Sequence, residues 1–238
     1  MAANVDHDDE LLRLRERLSD LQQSQIFHNR RALILLEGLP GSGKKVALRQ
    51  IASALDPCHF TVQSSHFDRR EASDGHWLAR YWRQLPGAGD TAIFYRGWYR
   101  RVLDDRLAGR VDDKAAERAF DEINEFEAQQ LDAGTLVAKL FFTVDAEIQK
   151  RRLAERARSP WHREPRTEPV TFADDPDFNA KFAEIRAHTD TRWSPWAMVD
   201  GSDEVVGARA ALRSLAEAWA GAMPAEPAHL VAGGKTAA

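Results

Sequence analysis

The 238-residue sequence contains a single cysteine, Cys58. One cysteine excludes an intrachain disulfide and any zinc site built on several cysteines. In the context CHFTVQ it reads as a small buried hydrophobe rather than a catalytic thiol. No apolar run approaches the roughly 20 residues that a membrane span requires. The opening is acidic (Asp6, Asp8, Asp9, Glu10) and lacks a signal-peptide pattern, so a cytoplasmic protein with no membrane partner is expected. A formal net charge of −4 gives no global attraction to nucleic acid, and none is expected as a partner. Internal repeats and a second domain are also lacking. With 43% hydrophobic and 29% charged residues, the composition suits a soluble globular protein, long enough for one α/β domain.

The chain is organised around residues 32–45, ALILLEGLPGSGKK. Leu33 to Leu36 read as a short strand buried on both faces, as in a parallel sheet. Gly38, four further residues, Gly43 and Lys44 follow, and an apolar-periodic run begins at Val46. Strand, glycine loop and helix in this order form a phosphate-cradling P-loop. Glycines (Gly38, Gly41, Gly43) let backbone N–H groups converge on an anion, and the helix N-terminus adds a favourable dipole. Lys44 reaches the terminal phosphates as a point charge. Lys45 stands where most P-loops carry a Ser or Thr for magnesium.

Elsewhere helices and strands alternate. Residues 1–8 are expected to be disordered, and an amphipathic helix runs from about Asp9 to Arg31. Helices are expected at 46–55, 76–85, 112–131, 146–158, 177–192 and 203–221. Strands are expected at 58–63, 91–95, 134–144 and 196–200. The segment 158–176, broken by four prolines and rich in arginine, reads as a lid, and 223–238 as a flexible tail. The pattern implies a single three-layer α/β domain over 9–222, with about five parallel strands flanked by helices.

Ligands of such sheets bind at the carboxyl ends of the strands. There the third strand delivers Arg96, Trp98, Tyr99, Arg100 and Arg101. Clustered arginines can grip phosphate oxygens in bidentate fashion, and Trp98 or Tyr99 can stack on a base. The alternative is a solvated arginine face beside core aromatics. Carboxylates for a metal are scarce near the loop, the candidates being Glu37, Asp68, Glu71 and Asp74, and the ligands are left open.

Five stretches carry a family likeness in order and spacing: EGLPGSGKK, LARYWRQLP, GDTAIFYRGWYRRVLDDR, EINEFEAQQLDAGTLVAKLFFTVDAEIQKRRL and TDTRWSPWAMVDGSDEVVGAR. Through them the chain resembles the polyphosphate kinase 2 family, from about residue 12 to 218. The resemblance implies a P-loop kinase-like fold with a lid, usually assembled as a homo-oligomer. It also implies Mg²⁺-dependent phosphoryl transfer between inorganic polyphosphate and a nucleotide such as AMP or ADP. Carried over by position, Gly38, Gly43 and Lys44 hold phosphate and Arg96 follows the third strand. Trp98 and Tyr99 match an aromatic pair, and Lys139 and Arg152 stand where the family presents basic groups. Lys44 and Arg96 become the candidate catalytic pair, with Arg100 in the phosphate-binding set.

Two positions depart from the family pattern. Pro40 replaces an aspartate in the loop, and Tyr95 replaces the aspartate ending the third strand. A phosphotransferase is therefore the leading expectation. The alternative is a degenerate member that binds nucleotide or polyphosphate as a sensor, scaffold or partner subunit. A small-molecule or nucleoside monophosphate kinase explains the P-loop but not the downstream matches.

Overall fold

A computed structural model describes residues 2–64, 75–159 and 171–224, with side chains from Asp9 onward. Five strands form one sheet: β1 (Ala32–Gly38), β2 (Phe60–Ser64), β3 (Thr91–Tyr95), β4 (Leu136–Thr143) and β5 (Trp196–Asp200). All pairings are parallel, and the spatial order is β2-β3-β1-β4-β5. The central β1 is apolar on both sides because both sides are covered. Leu33 and Leu35 face one core, and Ile34 and Leu36 the other.

Eight helices are described: α1 (Ala2–Phe27), α2 (Lys44–Ala52), α3 (Ala79–Arg83), α4 (Asp104–Leu107), α5 (Asp113–Asp132), α6 (Ala146–Arg158), α7 (Pro176–Thr189) and α8 (Glu204–Ala222). α1, α2 and α8 cover one face through Leu18, Ala47, Ile51, Leu212, Leu215 and Trp219. α3, α5 and α7 cover the other through Tyr81, Phe120, Ile123, Phe126, Phe178 and Ile185. Side-chain caps fix several starts. Asp112 accepts from the Ala115 N–H, Asp145 from those of Glu147 and Ile148, and Asp203 from those of Val205 and Val206.

The chain leaves β1 for α2 on one face, and leaves β3 for α5 on the opposite face. Adjacent strands with divergent exits open a crevice at their carboxyl ends, the usual ligand position in such sheets. Into it project the Gly38–Lys44 loop and the turn beginning at Arg96.

The expected five-strand parallel sheet and flanking helices are what the structure contains. Four local readings need correction. The backbone of residues 2–8, expected to be disordered, continues α1. The helix expected over 76–85 is confined to Ala79–Arg83. A short 3₁₀ turn (Trp98–Arg101) and α4 follow β3, where no element was foreseen. Cys58 is exposed, because a 3₁₀ turn at Pro57–His59 lifts it off the edge strand before β2 begins. Most of the expected lid (160–170) and the tail from residue 225 lie outside the described residues.

The crevice floor depends on glycine at Gly201, in the turn after β5. A Cβ there would lie 2.0 Å from the Ser42 carbonyl oxygen, so the β5 turn and the glycine loop touch backbone to backbone. Gly201→Ala is expected to cost about 1–3 kcal/mol through overpacking. Urea unfolding measures this, and an unchanged midpoint would mean that the two loops separate freely.

Candidate functional site

The loop after β1 takes its shape from three glycines with positive φ: Gly38 (121°), Gly41 (82°) and Gly43 (78°). At Gly38 glycine is also required by space, since a Cβ would sit 2.2 Å from the Phe142 carbonyl oxygen on β4. Gly43 caps α2, and Lys44 is the first residue of that helix. The Lys44 ammonium folds back over the loop. It donates to the Gly38 carbonyl, to the Leu39 carbonyl at 2.7 Å and to Ser42 Oγ at 3.4 Å. Only 3% of the residue is exposed. Lys45 next to it is exposed and outside this cluster.

Two side chains of α6 brace the loop from the other side. Arg152 donates to the carbonyls of Gly41 (2.9 Å), Gly201 (2.7 Å) and Ser202 (2.7 Å). Expected to meet phosphate, Arg152 here joins the glycine loop to the β5 turn. Gln149, fully buried, donates to the Pro40 carbonyl at 2.9 Å and to the Thr171 carbonyl at 3.1 Å. Its own oxygen accepts from the Ala173 N–H at 2.8 Å. Pro40, at an expected aspartate position, thus takes part through its backbone alone. Gln149 was not singled out in the sequence. The only signal was its place four residues before Leu153, on the inner face of a helix otherwise rich in charge.

The second half of the site comes from β1 and β3. Glu37, the last side chain before the loop, is 3% exposed and accepts from the Gly97 N–H at 2.5 Å. Tyr81 donates to the Gly97 carbonyl at 2.8 Å. Between β3 and Gly97, Arg96 adopts φ of 67°, a left-handed conformation that costs a non-glycine residue about 1–2 kcal/mol. The Arg96 N–H still extends the sheet, donating to the Leu36 carbonyl at 3.2 Å. Its guanidinium lies 3.9 Å from Asp104 at the start of α4. Arg100 is 4% exposed and lies 3.7 Å from Asp105. Tyr95, at the other expected aspartate position, holds its ring centroid 5.8 Å from the Lys44 ammonium. An aromatic face there meets the lysine where a carboxylate would have formed an ion pair.

Three sequence candidates lie in the core instead of facing the crevice. Trp98 is fully buried and Tyr99 is 2% exposed, so neither ring has a free face for a base. Both donate to Glu127 Oε1 on α5, at 2.8 Å and 2.7 Å. Tyr99 packs edge-on against Trp196, and Trp98 against Phe94 and Phe126. Lys139, on the α5 face of β4, donates to Glu127 Oε2 at 2.9 Å, to Tyr99 Oη at 3.2 Å and to the Thr189 carbonyl at 2.7 Å. An interior ammonium can stay charged only when it is paired and fully hydrogen-bonded, and Lys139 meets that requirement within the fold. The aromatics are core, as the alternative had it, but the arginines beside them are not a solvated face: Arg100 is buried and Arg96 half-buried.

The acid and base at the crevice are both perturbed. Burial holds the Lys44 pKa down to about 7, and the neighbouring Arg96 charge adds to this. Burial pushes Glu37 up to about 7, opposed by the Gly97 N–H and reinforced by Asp104. Each is the other's counter-charge, which offsets part of both shifts.

A magnesium ion beside phosphates needs one or two carboxylates turned toward it. Among the described residues, no group of three or more His, Cys, Asp and Glu is placed to hold a metal. Asp68, Glu71 and Asp74 lie outside the described residues. Glu37 already has one oxygen on Gly97, and burial favours its neutral form, while Asp104 faces Arg96. The described donor set does not fit a resident magnesium ion.

A family model described as Polyphosphate kinase 2 matches residues 2–225. A polyphosphate:AMP phosphotransferase of Pseudomonas syringae pv. tomato is 31% identical over 220 residues, covering 90% of this chain and 43% of the relative. An ADP-polyphosphate phosphotransferase of Rhizobium meliloti is 29% identical, covering 82% of this chain and 69% of the relative. A crystal structure from Pseudomonas aeruginosa PA01, provisionally assigned to polyphosphate kinase 2, superposes with a TM-score of 0.81 at 26% identity. It covers 91% of this chain and 47% of the other. The chain thus spans less than half the length of the polyphosphate:AMP phosphotransferases that it matches.

Two outcomes test this geometry. Lys139→Ala leaves the Glu127 carboxylate buried without its cation, and is expected to cost about 3–5 kcal/mol in urea unfolding. The folded fraction should bind anions as before, and a stable variant with weakened binding would return Lys139 to the site. The second outcome concerns pH. Glu37 is expected to hold a proton in the folded chain that the unfolded chain has lost, so stability falls from pH 4.5 to 7. The folded chain gives up the Lys44 proton as pH rises through about 7, whereas the unfolded chain keeps it to 10.5, so stability rises over that interval. In Lys44→Met the rising limb should disappear from unfolding midpoints measured across pH 7 to 10.

Proposed function

Since the chain belongs to the polyphosphate kinase 2 family, we propose that it transfers a phosphoryl group between inorganic polyphosphate and a nucleoside mono- or diphosphate. The observation that carries this reading is the Lys44 ammonium, folded over a loop of three left-handed glycines at the crevice between β1 and β3. The loop's N–H groups and the start of α2 receive a phosphate group. Lys44 then exchanges its carbonyl partners for phosphate oxygens, and its proton affinity rises as a negative charge comes close. Arg96, across the crevice, lies near enough to Lys44 and Glu37 to shift both, and faces the same anion. Two cations on either side of the transferring group spread its charge, which is the main catalytic requirement of phosphoryl transfer.

Phosphotransferases of this family generally use a divalent metal. Mg²⁺ is the ion proposed here, arriving with the substrate phosphates, and no step is assigned to it because the described carboxylates do not form its cage. AMP and ADP are the proposed acceptors, on the strength of relatives named for polyphosphate:AMP and ADP-polyphosphate phosphotransfer.

One observation favours a second reading, that of a family member which binds these ligands without turnover. Pro40 and Tyr95 replace both expected acids, and Tyr95 faces Lys44 with a ring. A coupled assay with long-chain polyphosphate, AMP or ADP, and Mg²⁺ or Mn²⁺ separates the two. Turnover above a Lys44→Ala blank supports the transferase. Its absence together with retained tripolyphosphate binding supports the binder. In either case Lys44→Ala is expected to weaken tripolyphosphate binding about tenfold or more, measured by titration calorimetry.

A further inference from the structure

The turn carrying Arg96 is held by two buried side chains from different elements. Arg96 and Asn29 are the only non-glycine residues with positive φ among those described. The αL state is unfavourable for an arginine and persists only where its surroundings over-determine it. Here the two peptide groups that flank the next residue, Gly97, are each held by one side chain. Glu37 of β1 accepts from the Gly97 N–H at 2.5 Å, and Tyr81 of α3 donates to the Gly97 carbonyl at 2.8 Å. Glu37 is 3% exposed and Tyr81 1%. The Tyr81 hydroxyl in turn accepts from Arg80. The fit around Gly97 is tight, because a Cβ would come 3.2 Å from Leu35 and 3.3 Å from Glu37 Oε1.

We propose that Glu37 and Tyr81 form a clamp on the backbone N–H and C=O of Gly97, one on each flanking peptide group, that fixes the backbone turn at Arg96 and so aims its guanidinium across the crevice at an anion held by Lys44. Glu37 is a positioning residue, acting through Arg96, and contacts neither phosphate nor metal. The inference rests on the reading of the crevice as an anion site and adds how one of its two cations is set in place. It explains why a carboxyl group lies beside an anion site without closing it. Glu37 is turned sideways along the sheet, toward a backbone N–H, and not outward into the crevice.

The test reads two quantities. The first needs no ligand: hydrogen exchange at the Gly97 amide, assigned in the NMR spectrum of the full chain. Tyr81→Phe and Glu37→Leu are each expected to speed this exchange at least tenfold, while amides in the middle of β1 and β4 keep their rates. Unchanged Gly97 exchange in both variants overturns the clamp. Because Glu37→Leu can fail to fold, Tyr81→Phe, which removes one oxygen and keeps the ring, carries this arm alone if necessary.

The second quantity is tripolyphosphate affinity by calorimetry, in a double-mutant cycle with Arg96→Ala. Arg96→Ala is expected to weaken binding about tenfold. Tyr81→Phe should weaken it several-fold in the native background and have no effect once Arg96 is alanine. Glu37→Gln keeps an acceptor for the Gly97 N–H and, above pH 7 where the native carboxyl has lost its proton, removes a negative charge near Lys44. Its affinity should therefore equal or exceed that of the native chain. Additive losses of Tyr81→Phe and Arg96→Ala would show that the clamp does not act through Arg96, and a Glu37→Gln variant as weak as Arg96→Ala would assign Glu37 a direct role through its charge; either overturns the positioning role. A native chain that binds no tripolyphosphate would sink the proposed function, while the Gly97 exchange rates still decide the clamp.

Discussion

The structure is arranged around the cost of keeping a lysine ammonium inside the protein at the end of a central strand. Lys44 has three donors, and the fold gives each an oxygen, two of them carbonyls exposed on the inside of a loop that only glycines can form. Those partners are neutral. They satisfy hydrogen bonds without neutralising the charge, and Glu37 and Asp104 offset only part of the cost of its burial. The same need explains the surroundings. Glycine at Gly38 lets the loop lie against β4, glycine at Gly201 lets the β5 turn lie against the loop, and Arg152 ties the last two together. Relaxing any of these contacts would let water reach the ammonium and lower the cost of its charge.

Tyr95 changes the character of this corner compared with one closed by an acid. A carboxylate facing Lys44 would satisfy it and offer a metal a ligand. An aromatic ring does neither, although its face still favours a cation at 5.8 Å. In the crevice Lys44 and Arg96 are close enough to raise the cost of each other's charge, and the nearest acids are turned to Gly97 and Arg96.

Much of the architecture could be read from the residues because local pattern and burial agree there. Doubly apolar runs at Leu33–Leu36 and Leu136–Phe142 are central strands, and the glycine spacing before Lys44 gives both the loop and the helix start. The side-chain roles were less legible. Trp98 looks like a ligand-facing group in a linear string and Lys139 does so through the family resemblance, since neither aromaticity nor position in a motif says which face of the sheet a residue occupies. Their destination was decided by Glu127, more than ten residues away in sequence on α5, and no local rule announces that pairing. Arg152 shows the converse: its nearness to the site could be inferred, but the carbonyls that it would meet could not. Tyr81 and Gln149 gave no chemical signal, because their importance lies in single backbone groups brought to them by the fold.

The Glu127–Lys139 pair has a consequence for how this chain can change over generations. Either partner lost alone leaves a charge stranded in the core, whereas both replaced together by apolar residues can pack acceptably. Substitution at the two positions is thus a valley that single steps seldom cross, and a basic residue on this strand can persist through changes in ligand, rate or role. A lysine met at the corresponding place in a distant sequence accordingly testifies to ancestry and packing before it testifies to chemistry.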